Sequence, residues 1–348
     1  MSSKMLFMLV LLGLFIASFT IPAQSQNANA KDVRPYILVF DNGTIVRDDT
    51  AIPLDPVPPQ TPDPLTNVTS KDVTLNPSKN LTARIYLPAL THNSKKLPIL
   101  VYFHGGGFCV GSAFSRNDHL YLNSLVSQSG VIAISINFRL YPEVTFQTSL
   151  EDAWFALEWV ASQKQNISWT EPWLASHGDF SKLFLGGDSS GATIVHNLAI
   201  KASQVALLYD LRIYGAILVM PLFLGSERVP LESDSVTLTP YYRVWPYVCP
   251  NCSHGVDNPF INPVSPRSPT LRRLAVKKLL VYTAEQDPLL GRSVEYVTTV
   301  RASRWEGILA YYEAKNVSHI FHITDQQKPE SEKETKLLIK RLSQFLQT

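Results

Sequence analysis

The sequence predicts an α/β fold in which helices flank a mostly parallel central sheet. Short apolar runs alternate along the chain with stretches in which apolar residues recur at helical spacing. Leu97–Phe103 and Val131–Phe138 are continuous apolar runs, typical of strands that are buried on both faces. Strands that alternate with helices in this way form parallel sheets, because each crossover helix returns the chain to the same end of the sheet.

Apolar periodicity and the positions of glycine and proline define the individual elements. Residues 26–75 are interpreted as an N-terminal arm, in which Tyr36–Phe40 and Thr44–Arg47 predict two short strands around the turn Asp41–Gly43. The strands predicted after the arm are Asn80–Leu87, Leu97–Phe103, Val131–Phe138, Lys182–Leu185, Tyr214–Met220, Lys278–Thr283 and Gly307–Glu313. The predicted helices are Ser149–Gln163, Ala192–Ala202, Val294–Trp305 and Glu332–Leu346. The proline-rich segments Pro53–Pro64 and Pro221–Pro269 are expected to be long ordered loops.

Composition fits one globular domain over residues 26–348. Hydrophobic residues make up 45% of the 348 residues and charged residues 17%, which is enough apolar material for a sizeable core. The formal net charge is only +2, so neither nucleic acid nor an anionic membrane surface is expected as a partner.

Residues 1–25 are interpreted as a cleaved signal peptide. Lys4 supplies the positive charge, Met5–Phe19 is an uncharged apolar stretch, and Ala23 and Ser25 are the small residues that precede cleavage. The uncharged segment is broken by Pro22 and turns polar at Gln24, so it is short for a membrane span and no stable membrane anchor is expected. We therefore expect a secreted protein, extracellular or vacuolar. Its N-glycosylation candidates are Asn42, Asn67, Asn80, Asn166, Asn251 and Asn316.

The three cysteines do not form a disulfide framework. Cys249 and Cys252 have C-x-x-C spacing, which permits either a local disulfide or two partly buried thiols. The further ligands that a zinc site needs are missing, so no metal site is expected. Cys109 is interpreted as a small core residue.

The sharpest motif is Gly187–Gly191, Gly-Asp-Ser-Ser-Gly, which matches G-x-S-x-G between a predicted strand and a predicted helix. The chain must reverse sharply there, and glycines two residues before and after the serine let strand and helix approach closely. Only Ser189 lies two residues from a glycine on both sides, so Ser189 rather than Ser190 is the predicted nucleophile. Its hydroxyl is expected at the N-terminus of the helix, where developing negative charge is favoured.

A second motif, His104–Phe108, His-Gly-Gly-Gly-Phe, follows a buried strand. Loops of this type lend backbone N–H groups to an oxyanion hole, which stabilises the negative charge that forms during acyl transfer. The expected oxyanion hole comprises Gly105, Gly106, Gly107 and the N–H of Ser190. His104 precedes the loop and is expected to order it through hydrogen bonds rather than to act as a base.

The acid and base that serve such a serine follow it in the order acid, then histidine. Asp287 is the predicted acid because it follows the strand Lys278–Thr283, and Glu285 is the alternative. His319 is the predicted base because it lies directly after the last predicted strand. His322 lies among apolar residues and is interpreted as a core histidine. Together, Ser189, His319 and Asp287 would form a nucleophile, base and orienting acid.

These motifs together resemble the plant carboxylesterases of the hormone-sensitive-lipase-like group, within the α/β-hydrolase superfamily. Further segments carry the resemblance: Asn137–Glu143, Asp257–Pro263 and Ser318–His322. The resemblance covers roughly residues 35 to 346 and implies an eight-stranded α/β-hydrolase core with a cap formed partly by the N-terminal arm. It also implies hydrolysis of a small-molecule ester without a cofactor. The chain departs from the group after Glu143, where Val-Thr-Phe-Gln-Thr follows, and in its signal peptide.

Other activities occur on the same scaffold. Isoflavanone dehydratases and alkaloid cyclases of plant specialised metabolism reuse this active site for elimination or cyclisation. The related gibberellin receptors bind a hormone and lack the catalytic histidine, whereas His319 is present here. The sequence thus predicts an esterase, leaves a dehydratase or cyclase open, and argues against a non-catalytic ligand-binding protein.

Overall fold

A computed structural model describes residues 30–33, 36–47, 52, 54–90, 96–165 and 171–348. The predicted signal peptide, residues 1–25, and the candidate glycosylation site Asn166 lie outside the described residues. None of the helices in the described part of the chain is both long and apolar enough to cross a membrane.

Eleven strands in the described residues form two sheets. They are β1 Ala30–Val33, β2 Ile37–Phe40, β3 Ile45–Arg47, β4 Thr69–Asn76, β5 Leu81–Leu87, β6 Leu97–Phe103, β7 Ile132–Asn137, β8 Gly178–Asp188, β9 Ile213–Val219, β10 Lys278–Ala284 and β11 Ile308–Ala314. The larger sheet has the order β11-β10-β9-β8-β6-β7-β5-β4. Its strands from β6 to β11 pair in parallel, and β4 and β5 add an antiparallel edge. The sheet is mostly parallel, as predicted.

Helices cover both faces of the large sheet. They are α1 Arg116–Ser129, α2 Phe146–Ser162, α3 Pro172–His177, α4 Ser190–Lys201, α5 Ser235–Val248, α6 Leu290–Ala302, α7 Phe321–Thr324 and α8 Pro329–Gln347. Successive side chains of a strand point to opposite faces. In β6, Val101 therefore joins the core beneath α2, α4 and α6, while Leu100 joins the core beneath α1 and α8.

The small sheet β1-β2-β3 belongs to the N-terminal arm. Arg47, at the end of β3, bonds this sheet to the segments that follow β6 and β7. Its Nε donates to the carbonyl of Cys109 at 2.9 Å, and its Nη2 lies 2.6 Å from the Glu143 carboxylate. The arm therefore lies beside the loop that follows β6. Residues 69–75, which the sequence prediction assigned to the arm, instead lie in β4 of the large sheet.

The prediction of a long loop over Pro221–Pro269 was wrong in its middle, where α5 lies. Pro240 and Pro246 are both inside this helix, although an interior proline costs about 3 kcal/mol because it removes a hydrogen bond and clashes with the preceding turn. Tertiary packing offsets the cost. Trp245 of α5 is buried, and its indole Nε1 donates to the carbonyl of Gly255 at 2.8 Å.

Candidate active site

Ser189 lies at the sharp turn between β8 and α4. Its backbone has φ 49° and ψ −118°, a conformation that costs a non-glycine residue about 1–3 kcal/mol. The N–H of Ser189 donates to Val219 at 2.9 Å, and its carbonyl accepts from the N–H of Leu222 at 3.0 Å. These bonds to the strand β9 and the loop after it hold the strained turn in place.

The two glycines of the elbow are required by close packing. A Cβ on Gly187 would lie 2.6 Å from the backbone of Gly191 and 2.8 Å from the carbonyl of Phe103. A Cβ on Gly191 would collide with the same Phe103 carbonyl. Strand β6, the elbow and α4 therefore meet at a point where no side chain fits. This is the physical reason for the G-x-S-x-G spacing.

His319 follows β11 and connects the serine to Asp287. Its Nε2 lies 2.8 Å from the Ser189 hydroxyl oxygen, and its Nδ1 lies 3.0 Å from each oxygen of the Asp287 carboxylate. An imidazole that carries its proton on Nδ1 donates to Asp287 and offers the Nε2 lone pair to the Ser189 hydroxyl. The three side chains thus have the connectivity of a nucleophile, a base and an orienting acid.

Asp287 is buried in the turn that follows β10. Its Oδ1 also accepts the N–H of Leu289 at 2.9 Å, which fixes the carboxylate towards His319. The alternative acid, Glu285, lies elsewhere: its carboxylate accepts the N–H of Asn316 at 3.0 Å and contacts Lys315. The hydrogen bond from the Asn316 backbone is the main cause that lowers the pKa of Glu285. Glu285 thereby stabilises the loop between β11 and His319.

The predicted oxyanion loop turns directly beside Ser189. Gly106 and Gly107 have φ of 112° and 60°, in the region that favours glycine. The N–H groups of Gly106, Gly107 and Ser190 have no acceptor among the described residues, so all three are available to an oxyanion. The Gly105 backbone lies beside the Asp188 carboxylate, where an added Cβ would collide with Oδ2. His104 Nδ1 lies 2.8 Å from the carbonyl of Gly105, and its ring stacks on Phe138.

Two tyrosines that the sequence reasoning missed contact this centre. The ring of Tyr241, on α5, packs edge-on against the His319 imidazole, with centroids 5.5 Å apart. The ring of Tyr36, from the arm, lies against Gly107, where an added Cβ would be 2.8 Å from the ring. Tyr241 lies within the stretch predicted as loop, and Tyr36 begins a predicted strand. No local pattern marked either as a site residue.

The remaining candidates lie outside this centre. His322 is buried in the core, with its ring 4.7 Å from that of Tyr121. Cys109 is a buried free thiol, and Cys249 and Cys252 form a disulfide after α5. In the described part of the chain, no group of three or more histidine, cysteine, aspartate or glutamate side chains is arranged to hold a metal ion.

Known proteins resemble this chain in sequence and in fold. A sequence model of the α/β-hydrolase fold matches residues 100–323. The chain belongs to the α/β-hydrolase family. Among the relatives of this α/β hydrolase, a 2-hydroxyisoflavanone dehydratase from Glycine max is 41% identical over 323 residues, which are 91% of this chain and 98% of that protein. A probable carboxylesterase, number 13, from Arabidopsis thaliana is 41% identical over 321 residues, 89% of this chain and 95% of that protein. The resemblance to plant carboxylesterases is confirmed.

Solved structures confirm the fold of this α/β hydrolase. A hyperthermophilic esterase from the archaeon Pyrobaculum calidifontis has a TM-score of 0.61 at 24% identity, covering 80% of this chain and 86% of its own. A thermostable esterase from Pseudomonas putida has a TM-score of 0.64 at 19% identity, covering 85% and 86%. At these identities the likeness shows the architecture alone.

Proposed function

We propose that this α/β hydrolase is a carboxylesterase that hydrolyses small-molecule carboxylic esters through an acyl-enzyme. The hydrogen-bonded chain from Ser189 through His319 to Asp287 carries the proposal. In the first step, the Ser189 oxygen attacks the ester carbonyl while His319 Nε2 takes the hydroxyl proton. Asp287 keeps the imidazole in the required tautomer and stabilises its positive charge.

The tetrahedral intermediate then collapses and expels the alcohol. Its oxyanion would accept hydrogen bonds from the N–H groups of Gly106, Gly107 and Ser190, each worth about 3–4 kcal/mol of barrier in a preorganised site. His319 delivers its proton to the leaving alcohol. A water molecule, activated by the same imidazole, attacks the acyl-enzyme, and Ser189 is released with the acid product.

A dehydratase is the second candidate, because a 2-hydroxyisoflavanone dehydratase is 41% identical over 91% of this chain. An elimination needs a base that removes a proton and a donor that assists the departing hydroxyl, but it forms no acyl-enzyme. His319 could serve as that base with the same orienting Asp287. The two activities therefore differ in whether Ser189 becomes acylated.

Presteady-state kinetics with a p-nitrophenyl ester distinguishes the two. We expect the mature protein to release a burst of p-nitrophenol that matches the concentration of active sites, followed by steady turnover. Ser189→Ala should abolish both phases. Rapid loss of water from a 2-hydroxyisoflavanone, with no burst from any short acyl ester, would favour the dehydratase instead.

We propose further that the protein enters the secretory pathway. The side chains of Asn42, Asn67, Asn80, Asn251 and Asn316 are all exposed, which supports their use as glycan acceptors. We expect the mature chain to begin at Gln26 and to carry glycans at Asn67 and Asn80. Asn316 should stay unmodified, because it precedes the proposed base by three residues and a glycan there would hinder substrate entry.

N-terminal sequencing and glycosidase-shift analysis of protein from a plant secretory host test this prediction. A retained Met1 with no mobility shift would show that residues 1–25 are not a secretion signal. Full occupancy of Asn316 on active enzyme would show that the loop before His319 is farther from the substrate entrance than proposed.

A further inference from the structure

A small buried cavity lies between the oxyanion loop, the elbow and α1. It is lined by Ile52, His104, Gly105, Gly111, Asp118, Asp188, Ile320 and Ile323, and its volume is about 10 Å³. His104, Asp118 and Asp188 are each at most 3% exposed. A volume of about 10–15 Å³ is the least that holds one water molecule, provided that polar partners surround it. The cavity therefore has the size of a site for a single water.

The three polar side chains that line this cavity all present acceptors. His104 Nδ1 lies 2.8 Å from the carbonyl of Gly105 and therefore carries the ring proton, which makes Nε2 an acceptor. That Nε2 is buried and has no hydrogen-bond partner among the described residues. The Asp188 carboxylate accepts from the Tyr102 hydroxyl at 2.7 Å, and the Asp118 carboxylate accepts from the Ser115 hydroxyl at 3.0 Å.

The charges of these groups follow from their burial. Burial lowers the pKa of His104 to about 4, so the ring is neutral at pH 7. Burial, aided by the charge of Asp188, raises the pKa of Asp118 to about 8. Burial also raises the pKa of Asp188 to about 6, although the hydrogen bond from Tyr102 opposes the rise. Asp118 is thus the member of this buried pair that keeps a proton at neutral pH.

We propose that the cavity binds one structural water, which joins α1, the oxyanion loop and the nucleophile elbow. The protonated Asp118 donates to the water oxygen. The water donates one hydrogen to His104 Nε2 and the other to the Asp188 carboxylate. His104 Nε2 thereby gains the donor that it lacks among the described residues, and the Asp188 carboxylate gains a second donor beside the Tyr102 hydroxyl.

Asp118 is accordingly a positioning residue for the oxyanion hole. Its hydrogen-bond partner is the Ser115 hydroxyl rather than Ser189 or His319, but it lines the same cavity as His104 and Gly105 of the oxyanion loop and Asp188, the residue before the proposed nucleophile. Stabilisation of an oxyanion depends on donors held in place before the reaction, and a misplacement of about 1 Å can cost about 100-fold in rate. Loss of the bridge should lower kcat more than it changes KM.

Two variants of Asp118 test this role. The test measures kcat for ester hydrolysis and therefore rests on the proposed esterase function. Asp118→Asn keeps an uncharged donor at the cavity and should retain a kcat close to the wild-type value. Asp118→Leu removes the donor and should lower kcat by about 10- to 100-fold with little change in KM. The matched control is Asn123→Leu, a buried polar residue on the same helix, which should lower the melting temperature but leave kcat unchanged.

A crystal structure of the mature protein tests the water itself without reference to activity. We expect a single ordered water within about 2.7–3.2 Å of His104 Nε2 and of the Asp118 carboxyl. A cavity without solvent density, in a crystal whose other interior waters are ordered, would overturn the proposal, as would wild-type kcat in folded Asp118→Leu. If Asp118→Leu does not fold, the crystal structure tests the water and the kcat of Asp118→Asn tests the role of Asp118. If the wild-type protein hydrolyses no ester, the proposed function is refuted. The water site is then tested by the electron density in the cavity alone.

Discussion

Replacing Ser189 with alanine is expected to lower kcat for ester hydrolysis by on the order of 10⁵- to 10⁶-fold. A serine nucleophile and its base act as a unit, so removing either of the two proposed here should remove almost all of the covalent pathway. KM should change little, because the missing hydroxyl contributes to bond formation rather than to binding. Residual hydrolysis would come from the oxyanion donors, which the substitution leaves in place. Stopped-flow and steady-state assays with a p-nitrophenyl ester measure both quantities.

Ser190→Ala provides the matched control, because it removes the neighbouring hydroxyl but keeps the N–H proposed as an oxyanion donor. The Ser190 hydroxyl is fully buried and has no hydrogen-bond partner among the described residues. Its loss should leave kcat close to the wild-type value. An organophosphonate probe should label Ser189 and no other serine, as tandem mass spectrometry can show. An adduct on Ser190 of folded protein would contradict the assignment.

The nucleophile elbow could be predicted from the sequence because its constraint is local. A Cβ on Gly187 would collide with the backbones of Gly191 and Phe103, and a Cβ on Gly191 would collide with the backbone of Phe103. Only glycine therefore fits at either position. The strand before Ser189 and the helix after it are both apolar, so their periodicity is easily read. Asp287 and His319 were predicted from the order of strands alone, and they lie within hydrogen-bond reach of one another.

Helix α5 could not be predicted because its sequence contradicts local preference. Pro240 and Pro246 disfavour a helix interior, and only burial of residues such as Trp245 against the body makes α5 favourable. Contacts of this kind join residues far apart in sequence. The packing of Tyr241 on His319 and of Tyr36 on Gly107 depends on such contacts, so no pattern near either tyrosine reports it.

The buried acceptors around Asp118 escaped sequence reasoning for a related reason. Asp118 lies in the first turn of α1, where an acidic residue is ordinarily explained by the helix dipole. It lines one cavity with Asp188 and His104 only because α1 packs on the large sheet beside α7 and α8. A residue that is unremarkable in its own helix thus becomes a candidate positioning group only when the sheet is assembled.

His319→Ala is expected to lower kcat by on the order of 10⁶-fold, whereas His322→Ala should chiefly lower stability. The two histidines are three residues apart, but their surroundings differ. His319 Nε2 is 2.8 Å from the Ser189 hydroxyl, whereas neither ring nitrogen of His322 has a partner among the described residues. Burial lowers the pKa of His322 to about 3, so its ring is neutral and a weak base.

Truncation of the His322 ring leaves a cavity beside Tyr121 and should cost roughly 0.5–3 kcal/mol of unfolding free energy. Thermal unfolding and kcat should therefore separate the two variants: His319→Ala inactive with a nearly unchanged melting temperature, and His322→Ala active with a lowered one. Because Asp287 and Ser189 remain in place in both proteins, the contrast isolates the imidazole. An active His319→Ala together with an inactive, fully stable His322→Ala would require the two roles to be exchanged and the proposed proton path through Nε2 to be abandoned.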